Sequence, residues 1–145
     1  MYPEGLAIDA SGVLYISDAG RVRKIAGGTI TAFGGTGVAG HSGDGGPAAS
    51  AQFGGTGALH IGPNSELYIA ETYNAVSAYI RKISGGIIGT IAGNGRNETS
   101  GDCTDIFGAD DNGPATNALF CGANGLAVGP SGKLFAADAA FLVVR

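Results

Sequence analysis

Three features of this sequence together predict an all-β chain built from four-stranded antiparallel units. Glycine occupies 28 of 145 positions, with no Gly-X-Y register and with short apolar runs between, which suits short strands joined by tight turns. No stretch carries a helical period. The same sequence blocks return in the same order, with Leu14, Leu67 and Leu134 in register. Four antiparallel strands in each long repeat are the pattern of a β-propeller blade. The predicted architecture is a partial propeller of about two and a half to three blades.

Blade 1 covers about 4–53, blade 2 about 57–120 with an insertion at 96–111, and a partial blade 3 about 124–145. "GLAIDASGVLYISD" (5–18), "ALHIGPNSELYIAE" (58–71) and "GLAVGPSGKLFAAD" (125–138) superpose without gaps. In the first copy, Leu6–Asp9 and Val13–Ser17 flank the turn Ala10-Ser11-Gly12, a hairpin signal. "RKIAGGTITAFGGTG" (23–37) matches "RKISGGIIGTIAGNG" (81–95), and each holds a Gly-Gly turn between two strands. Alternation of apolar and polar residues is partial, as strands covered on both faces allow.

The third block is "DGGPAASAQF" (44–53), repeated as "DNGPATNALF" (111–120). With Gly43 it reads like a serine-protease nucleophile loop whose serine is missing. A string that returns once per repeat is better read as a turn: a side-chain oxygen, a residue of positive φ, then a fixed φ. Asp44, Gly46 and Pro47, and their counterparts Asp111, Gly113 and Pro114, are therefore assigned to the loop from one blade to the next. "GTGVAG" (35–40) satisfies Gly-x-Gly-x-x-Gly, but the "HSGDGGP" that follows cannot start the helix a dinucleotide site needs. His41 beside Ser42 is not a triad, because adjacent residues do not present a serine and its base to each other.

"GLAIDASGVLYISDAGRVRKI" (5–25) together with "GGTITAFGGTGVAGHSGDGGPAASAQF" (27–53) resembles the NHL-repeat β-propellers, in the long-repeat form of bacterial surface proteins and teneurin-like extracellular domains. The resemblance covers nearly the whole chain. It implies a propeller, commonly of about six blades, used mostly as a binding or structural module. The family's Asp-Thr-Gly-Asn-His-Arg segment is altered here to Asp18-Ala19-Gly20-Arg21, so roles of its asparagine and histidine do not transfer. A propeller closes with roughly four to eight blades. The chain is accordingly expected to be a fragment, or to complete its ring with another chain.

The net charge of −4 argues against nucleic acid as a partner. No apolar run approaches a membrane span of about 18 residues. The insertion carries the sequon Asn97-Glu98-Thr99, an expected N-glycosylation site in a polar loop. Cys103 lies in the same insertion, and Cys121 replaces the repeat's Gly54. A Cys103–Cys121 disulfide is expected, clamping the insertion to the next blade. Sequon and disulfide together point to an extracellular or cell-surface protein from a eukaryotic secretory pathway. Asp102, Asp105, Asp110 and Asp111 are weak calcium candidates, since they lack Asp-x-Asp-x-Asp-Gly spacing. His60 replaces Ala7 and Ala127 on the innermost strand and is the candidate channel residue. Asp18, Glu71 and Asp138 end the second strand of each blade and Arg23 and Arg81 lie on the third, which reads as a repeated surface ion pair.

No cofactor is implied. The expected function is a non-catalytic module for protein binding, adhesion or structural assembly, partnered by other chains or by further blades. Two alternatives stand beside it: a subunit of a self-assembling extracellular structure, and a propeller hydrolase or lyase with its site near His60.

Overall fold

Each long repeat folds as one antiparallel meander. The computed structural model describes residues 3–73, 77–95, 112–139 and 142–144. Blade 1 is β1 (Pro3–Ile8), β2 (Leu14–Asp18), β3 (Arg21–Ala26) and β4 (Thr29–Gly34), paired in that order. Blade 2 is β5 (Gly55–Ile61), β6 (Leu67–Tyr73), β7 (Ser77–Ser84) and β8 (Ile87–Ala92). Blade 3 has three described strands, β9 (Ala123–Val128), β10 (Leu134–Asp138) and β11 (Val143–Val144). The first strands β1, β5 and β9 lie side by side as the hub. Among the described residues no helix is long and apolar enough to cross a membrane.

The hub explains one glycine. A Cβ on Gly5 would stand 2.2 Å from the Gly57 carbonyl oxygen, so β1 and β5 can approach this closely only where a side chain is missing. Ser17 Oγ fills the remaining space and donates to that same oxygen at 2.9 Å.

Blade 2 is covered on both faces. Leu67, Tyr68, Ile69 and Ala70 are all buried in succession, which is why its strands lack clean alternation. One core lies between blades 1 and 2 and includes Val22, Ala48, Ala51, Phe53, Leu67, Ile69, Ile83 and Ile88. A second lies between blades 2 and 3 and includes Ile80, Ala118, Phe120 and Ala136.

The meander puts the β1–β2 and β3–β4 turns at one end, and the β2–β3 turn beside the long connection at the other. The β4–β5 connection folds back on its own blade, with Gly35 N–H donating to Ala48 O and Thr36 N–H to Ala51 O, both at 2.9 Å. The β8–β9 connection repeats this: Gly93 N–H donates to Ala115 O and Asn94 N–H to Ala118 O, both at 3.0 Å. Gly35 and Gly93 hold φ of +82° and +94° there, and a Cβ on either would meet a carbonyl oxygen at 2.4 Å. The Gly-x-Gly-x-x-Gly string is thus a loop entry, followed by a single 3-10 turn at Ala48–Ser50 and then by β5.

Candidate functional site

The long-connection end between blades 1 and 2 gathers a buried polar cluster. Its centre is Glu71, near the end of β6 and wholly buried. Glu71 Oε1 accepts from Gly54 N–H at 2.9 Å, which ties the end of the second strand to the entry of the first. Asp138 does the same in blade 3, accepting from Cys121 N–H and Gly122 N–H at 3.1 Å each. The recurring carboxylate is therefore a clasp within its own blade.

The expected surface ion pair is corrected in blade 2. Arg81 is 0% exposed, so its pairing is a buried one. Its Nη1 donates to Glu71 Oε2 at 3.5 Å and to Gln52 O at 3.0 Å. Nε and Nη2 both reach Asp44 Oδ1, and Nη2 also donates to Ser42 O at 2.9 Å. A guanidinium buried this deeply needs acceptors for its five N–H groups, and one carboxylate could not supply them. The loop therefore closes over it. In blade 1 the counterpart pair is looser, with Arg23 Nε and Asp18 Oδ2 3.8 Å apart.

Asp44 accepts Thr90 N–H through its second oxygen at 3.0 Å. Burial raises its carboxyl pKa, but the bonds from Thr90 and Arg81 outweigh that and hold it below the usual value of 3.8. Asp44 thus joins the loop of one blade to the third and fourth strands of the next. The loop also forms a backbone ladder with β8: Gly45 N–H to Ile88 O at 2.8 Å, Ile88 N–H to Gly46 O at 3.1 Å, and Ala48 N–H to Gly86 O at 2.8 Å. Pro47 bridges to Ile87.

His41 borders this cluster at the surface. Its ring stacks on Tyr79 with centroids 3.6 Å apart. Nδ1 lies 3.3 Å from Glu71 Oε1, and Nε2 lies 3.4 Å from Thr90 Oγ1. A carboxylate only accepts, so Nδ1 carries the proton. In the neutral ring the basic lone pair then sits on Nε2, where the Thr90 hydroxyl donates to it. The His41 side chain is 22% exposed while that of Glu71 is fully covered, which leaves part of the imidazole at the surface and its carboxylate shielded from water. The Ser42 hydroxyl, by contrast, donates to Gln52 Oε1 at 3.1 Å and takes no part.

His60 lies on β5 opposite Tyr68, half-buried. No group of three or more His, Cys, Asp and Glu able to hold a metal occurs among the described residues. Gly113 and Pro114 lie in the β8–β9 connection. Cys121 is buried and carries no free thiol; Cys103 lies outside the described residues, as do Asn97, Asp102, Asp105, Asp110 and Asp111.

No protein-family model matches the chain, and no curated protein matches it. Solved structures do. One is a Thermus thermophilus protein assigned as an oxidoreductase (glucose dehydrogenase), with a TM-score of 0.52 and 16% identity, over 94% of this chain and 37% of that one. Another is the PQQ-bound aldose sugar dehydrogenase of Streptomyces coelicolor, with a TM-score of 0.44 and 18% identity, over 92% of this chain and 55% of that one. At such identities the first likeness speaks for fold and the second carries no argument.

The expectation of a non-catalytic adhesive or assembly module is corrected by these findings. The architecture it rested on is one that carries an enzyme described as an oxidoreductase. Neither the self-assembling subunit nor the hydrolase or lyase near His60 fits that description. Low charge content does not exclude catalysis, because a catalytic group needs one well-placed base rather than many charges. The chain is an all-β, partial β-propeller.

Proposed function

We propose that this chain is part of a β-propeller oxidoreductase acting on a sugar-like alcohol, with His41 as the proton acceptor. The observation that carries this reading is the His41–Glu71 pair, a partly exposed imidazole whose Nδ1 lies 3.3 Å from a fully buried carboxylate oxygen. Oxidising an alcohol to a carbonyl removes a proton from oxygen and a hydride from carbon. His41 Nε2 would take the proton, exchanging its bond from Thr90 for one from the substrate hydroxyl. Glu71 then stabilises the imidazolium, and Arg81 keeps Glu71 in place. The similar Thermus protein, described as a glucose dehydrogenase, supports the reaction class.

The hydride needs an acceptor. A quinone bearing several carboxylates, such as PQQ, would require converging cations. Among the described residues Arg81 is committed to Asp44 and Glu71, and Lys24 and Lys133 lie over Phe33 and Phe135. These three cations are turned to other partners. The acceptor would be held by parts of the protein beyond them.

The test is aldose-dependent reduction of an artificial electron-acceptor dye by the full protein supplied with quinone cofactor. His41→Ala is expected to lower kcat by about 100-fold or more, with the loss relieved at higher pH by no more than a few-fold. Unchanged turnover in a folded His41→Ala protein would sink the reading.

A further inference from the structure

His41 is held on three sides by blade 2. Glu71 lies on β6, Tyr79 on β7 and Thr90 on β8, and Glu71 pairs with Tyr79 directly across the sheet. The two polar contacts to the ring are long, 3.3 Å from Nδ1 to Glu71 and 3.4 Å from Nε2 to Thr90. Both exceed the range of about 2.7–3.2 Å in which such bonds are strong. With one contact at each nitrogen, the ring could still turn about the line joining them. The stack on Tyr79 is tight by comparison. Its centroids are 3.6 Å apart and its planes are inclined by 12°, which is van der Waals contact over a whole ring face. The stack therefore fixes the plane of the imidazole.

Tyr79 is itself seated. A Cβ on Gly95 would overlap the Tyr79 phenol, and a Cβ on Gly93 would stand 3.0 Å from Tyr79 Cα, so the chain passes this residue with glycine at both positions. Blade 1 has the same seat with another occupant. Arg21 stands opposite Asp18 as Tyr79 stands opposite Glu71, and a Cβ on Gly37 would overlap the Arg21 guanidinium. The seat belongs to the repeat, and the aromatic ring in it belongs to blade 2. An aromatic ring supports an imidazole in either charge state, whereas a guanidinium would repel the charged one.

We infer that Tyr79 is the positioning residue for His41: it sets the plane in which Nε2 meets a substrate hydroxyl, and it stabilises the imidazolium once the proton has moved. This rests on the reading of His41 as the proton acceptor. A neutral imidazole stacks on Tyr79 as an ordinary ring pair, while a charged one also gains the attraction of a cation for the negative face of the ring. That gain arises only as the hydroxyl O–H bond breaks and the bond from hydrogen to Nε2 forms. It therefore lowers the barrier without tightening substrate binding.

Two readouts on the full protein test this, aldose-dependent dye reduction and NMR of isotope-labelled histidine. Tyr79→Leu is expected to lower kcat about tenfold with KM unchanged, and Tyr79→Phe to stay within about twofold of the parent. The His41 ring signals, assigned by their loss in His41→Ala, should be displaced upfield by the Tyr79 ring. Tyr79→Leu should return them toward ordinary values and Tyr79→Phe should not. Should Tyr79→Leu fail to fold, Tyr79→Arg takes its place, since blade 1 seats that residue, and it should lower kcat at least as far. Unmoved His41 signals overturn the inference, as do equal losses in the leucine and phenylalanine variants. The two readings fail separately. Turnover lost in His41→Ala but kept in Tyr79→Leu overturns the role of Tyr79 alone, whereas turnover kept in His41→Ala overturns the proton acceptor and this role with it.

Discussion

The two inter-blade grooves share one sequence plan and differ in what fills them. Between blades 1 and 2, Phe53 is 0% exposed and packs with Ile83 and Ile88, while Arg81 is locked by Asp44 and Glu71. Between blades 2 and 3, Phe120 is buried yet borders a cavity of about 560 Å³. The difference separates two jobs of the blade-to-blade loop. Folding back on its own blade needs only the Gly35 or Gly93 turn and occurs in both copies. Gripping the next blade needs a third and fourth strand in that blade, and among the described residues occurs once. Among the described residues the polar cluster around His41 occurs where the grip occurs, because Thr90, Arg81 and Tyr79 all lie on those strands.

Removing the grip should have the largest effect. Arg81→Met would leave Glu71 buried without its cation and is expected to cost about 3–5 kcal/mol, read as a lower midpoint in chemical denaturation; a change below about 1 kcal/mol would show the cluster to be dispensable. Of similar size, Phe53→Ala is expected to cost about 3–5 kcal/mol and Phe120→Ala less, since among the described residues the second site borders a cavity. Equal losses would mean the two grooves are energetically alike. In the opposite direction, Ala136→Ile copies Ile69 into the open groove and should stabilise by about 0.5–2 kcal/mol as a cavity-filling change, raising Tm.

The smallest effect is on acid stability. Asp44 has its folded pKa below the usual 3.8, so its contribution is fully present above the unfolded value and is lost as pH falls through the lowered folded value. Asp44→Asn should therefore flatten the fall in stability just below pH 4, and leave any acid dependence that arises from blade 3 unchanged. Parallel pH–stability curves for the two proteins would contradict the assignment.

Much of this is legible in the sequence. The repeated blocks place the hairpins, and the Gly27-Gly28 and Gly85-Gly86 turns fall where β3–β4 and β7–β8 reverse. The site was less legible. One signal was available: Glu71 stands where the other copies have Asp, and its extra methylene lets one carboxylate reach Gly54, Arg81 and His41 together. Pairing Asp or Glu with Arg inside a blade suggested a surface contact, because nothing local announces that Asp44 returns from 37 residues away to bury the guanidinium. His41 and Glu71 are 30 residues apart and share no motif.

By itself the sequence determined the strand periodicity, the turns and the order of blades, since these depend on backbone preferences and on apolar spacing read over a few residues. Only the tertiary structure decided which polar groups meet. That outcome depends on where a loop lands on the neighbouring blade, and the loop lands there because buried N–H and C=O groups of β8 and a buried guanidinium must all find acceptors or donors at once.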